Sequence, residues 1–397
     1  MNLSEYFTDI AYKRLSAVEA DSTRSNQHEF NGVTGLKKML GEKKHEFLAK
    51  FAYLAENEAE PITADVRVTW YDARENHATR TEYRLYYQGS PINEYMQEGD
   101  LMVIARRPGS EFYFFIAQKG STYENQLALL FDVPIEIGST IETKDLTEKP
   151  KSVDFVQSFI LGEIGIEAEQ ADENYLERIL KRFPKGFPTT AEFSDFARGT
   201  LSSVNVKDDP DTVLMSWMER EELLFKTFER YLLTERLKEE FSATDDINVE
   251  KFVDLSLSVQ NRRKSRVGHA LENHLEKIFS ELGISFSRGK ETENKAKPDF
   301  IFPGIKQYHD EAFPADGLFM LGAKSTCKDR WRQVLAEATR IKKKHLLTLE
   351  PGISTNQTDE MIANSLQLVI PKSLFGTYTD SQQKWLINLK DFTGIVA

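Results

Sequence analysis

Between residues 62 and 133, apolar and aromatic positions alternate with polar ones in short runs. Val66-Arg67-Val68-Thr69-Trp70-Tyr71, Tyr83-Arg84-Leu85-Tyr86-Tyr87, Leu101-Met102-Val103-Ile104-Ala105 and Phe112-Tyr113-Phe114-Phe115-Ile116 read as strands. Gly89-Ser90-Pro91, Gly99 and Pro108-Gly109 separate them. Such a succession predicts a barrel or sandwich, flanked by helical patches near residues 5–15 and 44–54. The period changes after residue 135. Residues 140–175 are polar and acidic, as an interdomain linker would be. Val213, Leu214, Trp217, Leu223, Leu224, Phe228 and Leu232 then recur at helical spacing, predicting a helix over 211–240 with Asp211 as its cap. Further on, the pattern predicts a helix at about 264–282, strands at 298–302 and 318–324, and a helix from about 330 to 342. Short buried strands follow at 346–349 and 366–370. The expected class is mixed α/β, with a β-rich domain over 1–165 and an α/β domain over 166–397.

Composition narrows the class. The chain has 397 residues, 40% hydrophobic and 29% charged, as an ordinary globular protein does. No apolar run approaches the roughly 20 residues of a membrane helix, and the first residues lack a signal-peptide pattern. Cys327 is the only cysteine, which excludes internal disulfides and cysteine-built zinc sites. A cytoplasmic protein is expected. The net charge of −12 argues against a generic polyanion binder, but the charge is uneven. Between Lys324 and Lys344 there are eight Lys or Arg residues and two acids, and residues 261–266 are also basic. A basic cleft in an acidic body attracts DNA.

The candidate chemistry lies in the same stretch. Phosphodiester hydrolysis needs an activated water, neutralised phosphate charge and help for the leaving oxygen. Mg²⁺ held by carboxylates supplies these, and a lysine can orient the water. Asp299 begins one apolar strand, Lys324 ends another, and Glu337 lies thirteen residues after the lysine. Neighbouring strands and a returning helix could gather the three, with Asp299 and Glu337 holding the metal and Glu272 as a further acid. Spacing alone leaves a bland reading open, in which Asp299 ends a turn, Lys324 is a solvated strand end and Glu337 is a surface helix residue. The position two before the lysine, where an acid is usual, is Gly322. His269, His274 and His309 read as polar helix or loop residues, because Mg²⁺ prefers oxygen ligands.

Residues 256–345 resemble the catalytic half of EcoRII-type restriction endonucleases. The resemblance rests on Ser258-Val259-Gln260-Asn261-Arg262-Arg263-Lys264-Ser265-Arg266, Lys297-Pro298-Asp299-Phe300, Tyr308-His309-Asp310 and Lys324-Ser325-Thr326-Cys327-Lys328-Asp329-Arg330-Trp331-Arg332-Gln333. These enzymes are PD-(D/E)XK nucleases of the branch whose second acid has moved onto the following helix. The resemblance implies an active site of Asp299, Lys324 and Glu337, with Glu272 as fourth member, and makes Gly322 expected. It also implies that Lys328, Asp329 and Arg330 read C·G pairs, and the chemistry agrees. Arg and Lys donate to guanine, and Asp accepts from cytosine. Arg332 and Lys342-Lys343-Lys344 are read as phosphate or solvent contacts. Arg262 and Arg263 either hold phosphates or open the next helix.

Residues 1–135 resemble, more weakly, the effector-binding domain of the same family, a pseudobarrel similar to plant B3 domains. Two arms would grip DNA there, with Arg24, Asn26 and His28 on one and Arg80 and Arg84 on the other. Glu19, Asp21, Glu29, Glu75 and Glu82 dilute their positive charge. The expectation is a homodimeric, Mg²⁺-dependent type II endonuclease that cuts double-stranded DNA at a CC(A/T)GG-like site. Its first domain would bind a second copy of the site, and a companion cytosine methyltransferase would protect the host without touching it. The rival readings are a nuclease of the same fold that cuts modified DNA, and a non-catalytic DNA-binding regulator.

Overall fold

Ala49, Phe51 and Tyr53 are buried while Glu46, Leu48 and Lys50 are exposed, so residues His45–Leu54 are a strand. The segment is rich in good helix formers, and the predicted helix over 44–54 is not there. Strands pair with it on both sides, and that pairing outweighs local propensity. The helical patch over 5–15 is likewise mostly a strand, Asp9–Arg14. The computed structural model describes residues 2–20, 28–30, 33–58, 60–77, 79–149, 151–166, 173–201, 204–241 and 249–397. Its contacts divide the chain into one unit of Met1–Ala168 with Pro351–Thr358, and a second of Glu169–Glu350 with Asp359–Ala397.

The first unit runs β1 (Asp9–Arg14), α1 (Ala17–Ala20), β2 (Glu29–Phe30), α2 (Lys37–Leu40), β3 (His45–Leu54), β4 (Ile62–Asp72), β5 (Tyr83–Tyr87), β6 (Leu101–Arg106), β7 (Phe112–Ala117), α3 (Thr122–Phe131), β8 (Glu142–Asp145) and α4 (Phe155–Glu163). The strands form one sheet in the order β2-β5-β4-β3-β7-β6-β1-β8. Strands β3 and β7 are parallel and the other neighbours antiparallel. Each face has its own core. Phe30, Phe51, Val68, Trp70, Leu85 and Phe114 fill one, and Phe7, Ile10, Val103, Phe115, Leu127 and Ile160 fill the other. Among the described residues the sheet is open, with β2 and β8 at its two ends. Gly35, just after β2, packs so tightly on the approach to β8 that an added Cβ would lie 3.1 Å from Ile141 Cγ2.

The second unit runs α5 (Glu173–Arg182), α6 (Thr190–Gly199), α7 (Pro210–Phe241), α8 (Val249–Glu281), β9 (Ser287–Arg288), β10 (Phe300–Phe302), α9 (Ile305–His309), β11 (Phe319–Lys324), α10 (Trp331–Leu335), β12 (Lys344–Thr348), α11 (Thr355–Ala363), β13 (Leu366–Val369), α12 (Asp380–Gln383) and α13 (Leu389–Val396). Five strands order as β13-β12-β11-β10-β9, parallel among β11, β12 and β13 and antiparallel among β9, β10 and β11. Strand alternation assigns the two faces. Phe300, Phe302, Phe319 and His345 share one face, where Phe279 of α8 and Phe392 of α13 meet them edge-on or tilted. Asp299, Gly322, Lys324, Lys344 and Leu346 fall on the other face, under α10.

Two predicted boundaries moved. Helix α8 starts fifteen residues before the expected 264, and α10 stops at Leu335 instead of continuing to 342. Asp211 does not cap its own helix. Its buried carboxylate accepts from Lys372 N (3.1 Å), Leu389 N (2.9 Å) and Lys390 N (2.9 Å), tying α7 to the end of the chain. Asp209 does the capping, accepting from Thr212 N and Oγ1. Among the described residues, no helix is long and apolar enough to cross a membrane.

Candidate active site

Lys324 ends β11 directly beside the residue that opens β10. Its Nζ donates to Asp299 Oδ2 at 2.9 Å, and Ala323 N donates to the same oxygen at 2.7 Å. Both bonds go to Oδ2, which leaves Oδ1 for another partner. The pair is mostly covered, at 19% side-chain exposure for Lys324 and 14% for Asp299. Glu337 completes the group. Burial and the nearby Asp299 carboxylate raise its pKa, against the opposing pull of Lys324 and Lys344. Its Oε2 is buried with no hydrogen-bond partner among the described residues.

Gly322 explains why the second acid comes from beyond the strand. A Cβ there would lie 3.0 Å from Val334 Cγ2 and 3.4 Å from Leu346 Cδ1. An acid at that position has no space, because α10 packs directly on the strand backbone. The same close approach brings Glu337, three residues after Val334, over the sheet edge. Glu337 lies in the turn that follows α10, its N–H bonded to Val334 O at 3.2 Å.

Glu272 lies on α8, where Arg288 Nη2 donates to it at 2.9 Å and the same guanidinium also binds Glu276 and Asn273. Lys344 departs from its expected surface role. It is 7% exposed and donates to Ile341 O at 2.8 Å. Burial pushes its ammonium pKa down, against the pull of Glu337 and Glu293. No pattern marked it, because a lysine in a basic run reads as solvated. His274 is a helix residue, on α8, and is fully buried, with Nε2 3.1 Å from Glu221 and Nδ1 3.0 Å from Arg198.

The loop after β11 carries the expected base-reading residues. Fully buried Cys327 pins it, donating its N–H to Glu350, and Arg330 N closes a turn on Cys327 O at 2.7 Å. Lys328 sits in this turn with a left-handed φ of 34°, and Arg330 is exposed. Asp329 lies in the same turn, but its side chain is outside the described set. Arg332 is exposed, stacks over Trp331 and pairs with Glu360 at 2.6 Å.

Elsewhere several of the predicted DNA contacts meet internal partners. Arg263 is drawn to the buried Glu229 of α7 at 2.6 Å, and Arg262 lies over the Phe187 ring. Arg266 is 6% exposed among Phe187, Phe193 and Phe225. Residues 261–266 are mid-helix, so the basic run is partly a packing element and not the start of a helix. In the first unit, Arg24 and Asn26 lie outside the described residues. His28 packs on Tyr87, 3.1 Å from Asn93 Nδ2. Arg80 is exposed. Arg84 is paired with Glu29 (2.9 Å) and Glu82 (2.8 Å), so binding a phosphate would mean giving up one of these partners.

The oxygen donors suit a hard divalent cation. Asp299 has a spare oxygen, and Glu337 has an unpartnered buried one beside a neighbouring negative charge. Among the described residues no three His, Cys, Asp or Glu side chains cluster to hold a metal alone. Two carboxylates completed by water and phosphate oxygens is the usual Mg²⁺ arrangement.

Comparison with known proteins bears on the same region. Residues 225–393 match the family model "EcoRII C terminal". The chain is 38% identical over 245 residues to the type II restriction enzyme EcoRII of Escherichia coli, covering 60% of this chain and 58% of that enzyme. It is 30% identical over 140 residues to the type II restriction enzyme SsoII of Shigella sonnei, covering 31% of this chain and 45% of that one. The matches thus span about half the length of these relatives. Among solved structures, metal-depleted Ecl18kI with uncleaved, modified DNA aligns at 18% identity and a TM-score of 0.45, covering 57% of this chain and 84% of that one. A restriction endonuclease PspGI–substrate DNA complex aligns at 14% identity and 0.43, covering 53% and 92%. Over residues 225–393 the chain is thus similar to the EcoRII C-terminal family.

Proposed function

We propose that this protein is a magnesium-dependent type II restriction endonuclease that cuts double-stranded DNA within a CC(A/T)GG-like site, on the 5′ side of the cytosines. The observation that carries the reading is the convergence of Asp299, Lys324 and Glu337 at one sheet edge, where Gly322 excludes an acid from the strand itself. Asp299 and Glu337 would hold the ion through Oδ1 and Oε2. The bound ion would supply phosphate polarisation and a more acidic water. Lys324, oriented by Asp299, would hold the attacking water and offset charge on the phosphate. Lys328, Asp329 and Arg330 would read the outer C·G pairs, and Arg332 a phosphate. Glu272 would add a further acid beside its Arg288 partner, and Arg263 would have to leave Glu229 to hold a phosphate. Two identical half-sites require two copies of the chain. The first unit would bind a second copy of the site through its arms, with Arg80 as one exposed cation. The enzyme would work in the cytoplasm, alongside a cytosine methyltransferase that protects the host.

The test is Lys324→Ala on a plasmid carrying the site. With Mg²⁺ the parent linearises the plasmid, and the variant leaves it supercoiled while binding the site duplex as before in Ca²⁺. Cutting at the parental rate would remove Lys324 from the mechanism. An inert parent would favour the non-catalytic regulator.

A further inference from the structure

The turn that carries Glu337 has only short-range backbone bonds of its own. Ala336 N and Glu337 N bond back to Gln333 O and Val334 O, Ile341 N bonds to Ala338 O at 2.9 Å, and the chain passes through Ala338 at a φ of 46°, a conformation unfavourable for a residue with a Cβ. Since Glu337 Oε2 has no hydrogen-bond partner among the described residues, the backbone of this turn aims the carboxylate. Three attachments fix that backbone. Thr339 N donates to Glu293 Oε2 at 3.4 Å, and Lys344 Nζ donates to Ile341 O at 2.8 Å. The largest is Arg340. Its Nη1 donates to Tyr308 O and to Asp310 O (3.0 Å), and its Nη2 to Phe313 O (2.9 Å). Its own N–H bonds to Tyr308 Oη at 3.3 Å, and that hydroxyl donates to Glu293 at 2.6 and 2.7 Å.

The three carbonyls belong to the stretch that continues from β10, the strand Asp299 opens. One guanidinium therefore ties the segment bearing the first acid to the turn bearing the second. We propose that Arg340 is a positioning residue that sets the spacing of the Glu337 and Asp299 carboxylates, a role that rests on reading these two as the metal-holding pair. The planar fork of arginine spans several carbonyls at once, and a lysine ammonium cannot reproduce that geometry. The Arg340 guanidinium is taken up by three carbonyls, so its effect would pass through Glu337.

The test uses the full chain and Ca²⁺ alone as probe, followed by calorimetry, with four proteins: parent, Arg340→Met, Glu337→Ala and the double variant. Arg340→Met is expected to weaken Ca²⁺ binding about tenfold, and Arg340→Lys by less. In the Glu337→Ala background, Arg340→Met should add nothing, because the carboxylate it aims is gone. Unchanged Ca²⁺ affinity in Arg340→Met, or an equal loss with and without Glu337, overturns the proposal. If Arg340→Met does not fold, Arg340→Lys decides: it must raise the Mg²⁺ concentration for half-maximal cleavage, and an unchanged requirement counts against the role. Failure of the underlying site reading looks different, since Glu337→Ala alone would then bind Ca²⁺ like the parent.

Discussion

Replacing Gly322 with alanine tests the packing that brings the second acid to the site. The new methyl would lie 3.0 Å from Val334 Cγ2 and 3.4 Å from both Val334 Cγ1 and Leu346 Cδ1. Val334 and Leu346 are fully buried, so neither can yield without moving α10 or β12. Overpacking of this kind costs about 1–3 kcal/mol. A glycine replaced at an ordinary backbone angle regains about 0.4–1 kcal/mol through the unfolded state. The net expectation for Gly322→Ala is a loss of about 1–2 kcal/mol. Val334→Ala alone loses about 1.5–3 kcal/mol of burial. In the double variant the clashing methyls are absent, so the two changes should couple by about 1–3 kcal/mol in the relieving direction. Urea unfolding of the four proteins measures this. Cleavage rates should follow, lowered in Gly322→Ala because displacing Val334 carries Glu337 with it. Additivity within about 0.5 kcal/mol would show that α10 does not rest on Gly322 and refute the reasoning.

Two further outcomes follow from the site. The raised pKa of Glu337 means that it binds its proton more tightly when folded. Its contribution to stability is therefore full below the ordinary glutamate value of about 4.3 and is lost as pH rises through the raised one. Metal-free Glu337→Gln should resist urea better than the parent at neutral pH, with the gap closing towards pH ~4. A gap that does not change with pH would contradict the burial argument. Arg330→Ala should lose about 1–3 kcal/mol of discrimination between cognate and single-mismatch duplexes. Unchanged selectivity would remove Arg330 from base reading.

The sequence singled out the candidate site residues more readily than the elements around them. Asp299, Lys324 and Glu337 stood out because each is an ionisable group beside an apolar run, and the segments around them carry a long, specific resemblance. The extent of α7 was legible because Val213, Leu214, Trp217, Leu224 and Phe228 are all buried, so its periodicity was strong. Strand β3 was not, since Glu46, Leu48, Ala49 and Lys50 favour helix in isolation and only pairing with β4 and β7 makes them a strand. The first turns of α8 expose Val253 and Leu257, which blurs the apolar stripe that would have marked its start. The partners of Arg263, Arg340, Lys344 and Asp211 were out of reach for another reason. A basic run or an acid near a proline looks the same whether its counterpart is water or a backbone atom brought in from far along the chain.

Asp211 also imposes an order of assembly. Its carboxylate, near the beginning of α7, finds two of its donors 178 and 179 residues later, in the first turn of α13. During synthesis those amides do not yet exist, and an acid without donors keeps its water rather than enter an apolar site. Closing so long a loop is slow compared with forming the helices it joins. The second unit therefore reaches its final state only after α13 has left the ribosome, and the candidate site stays incompletely framed until then.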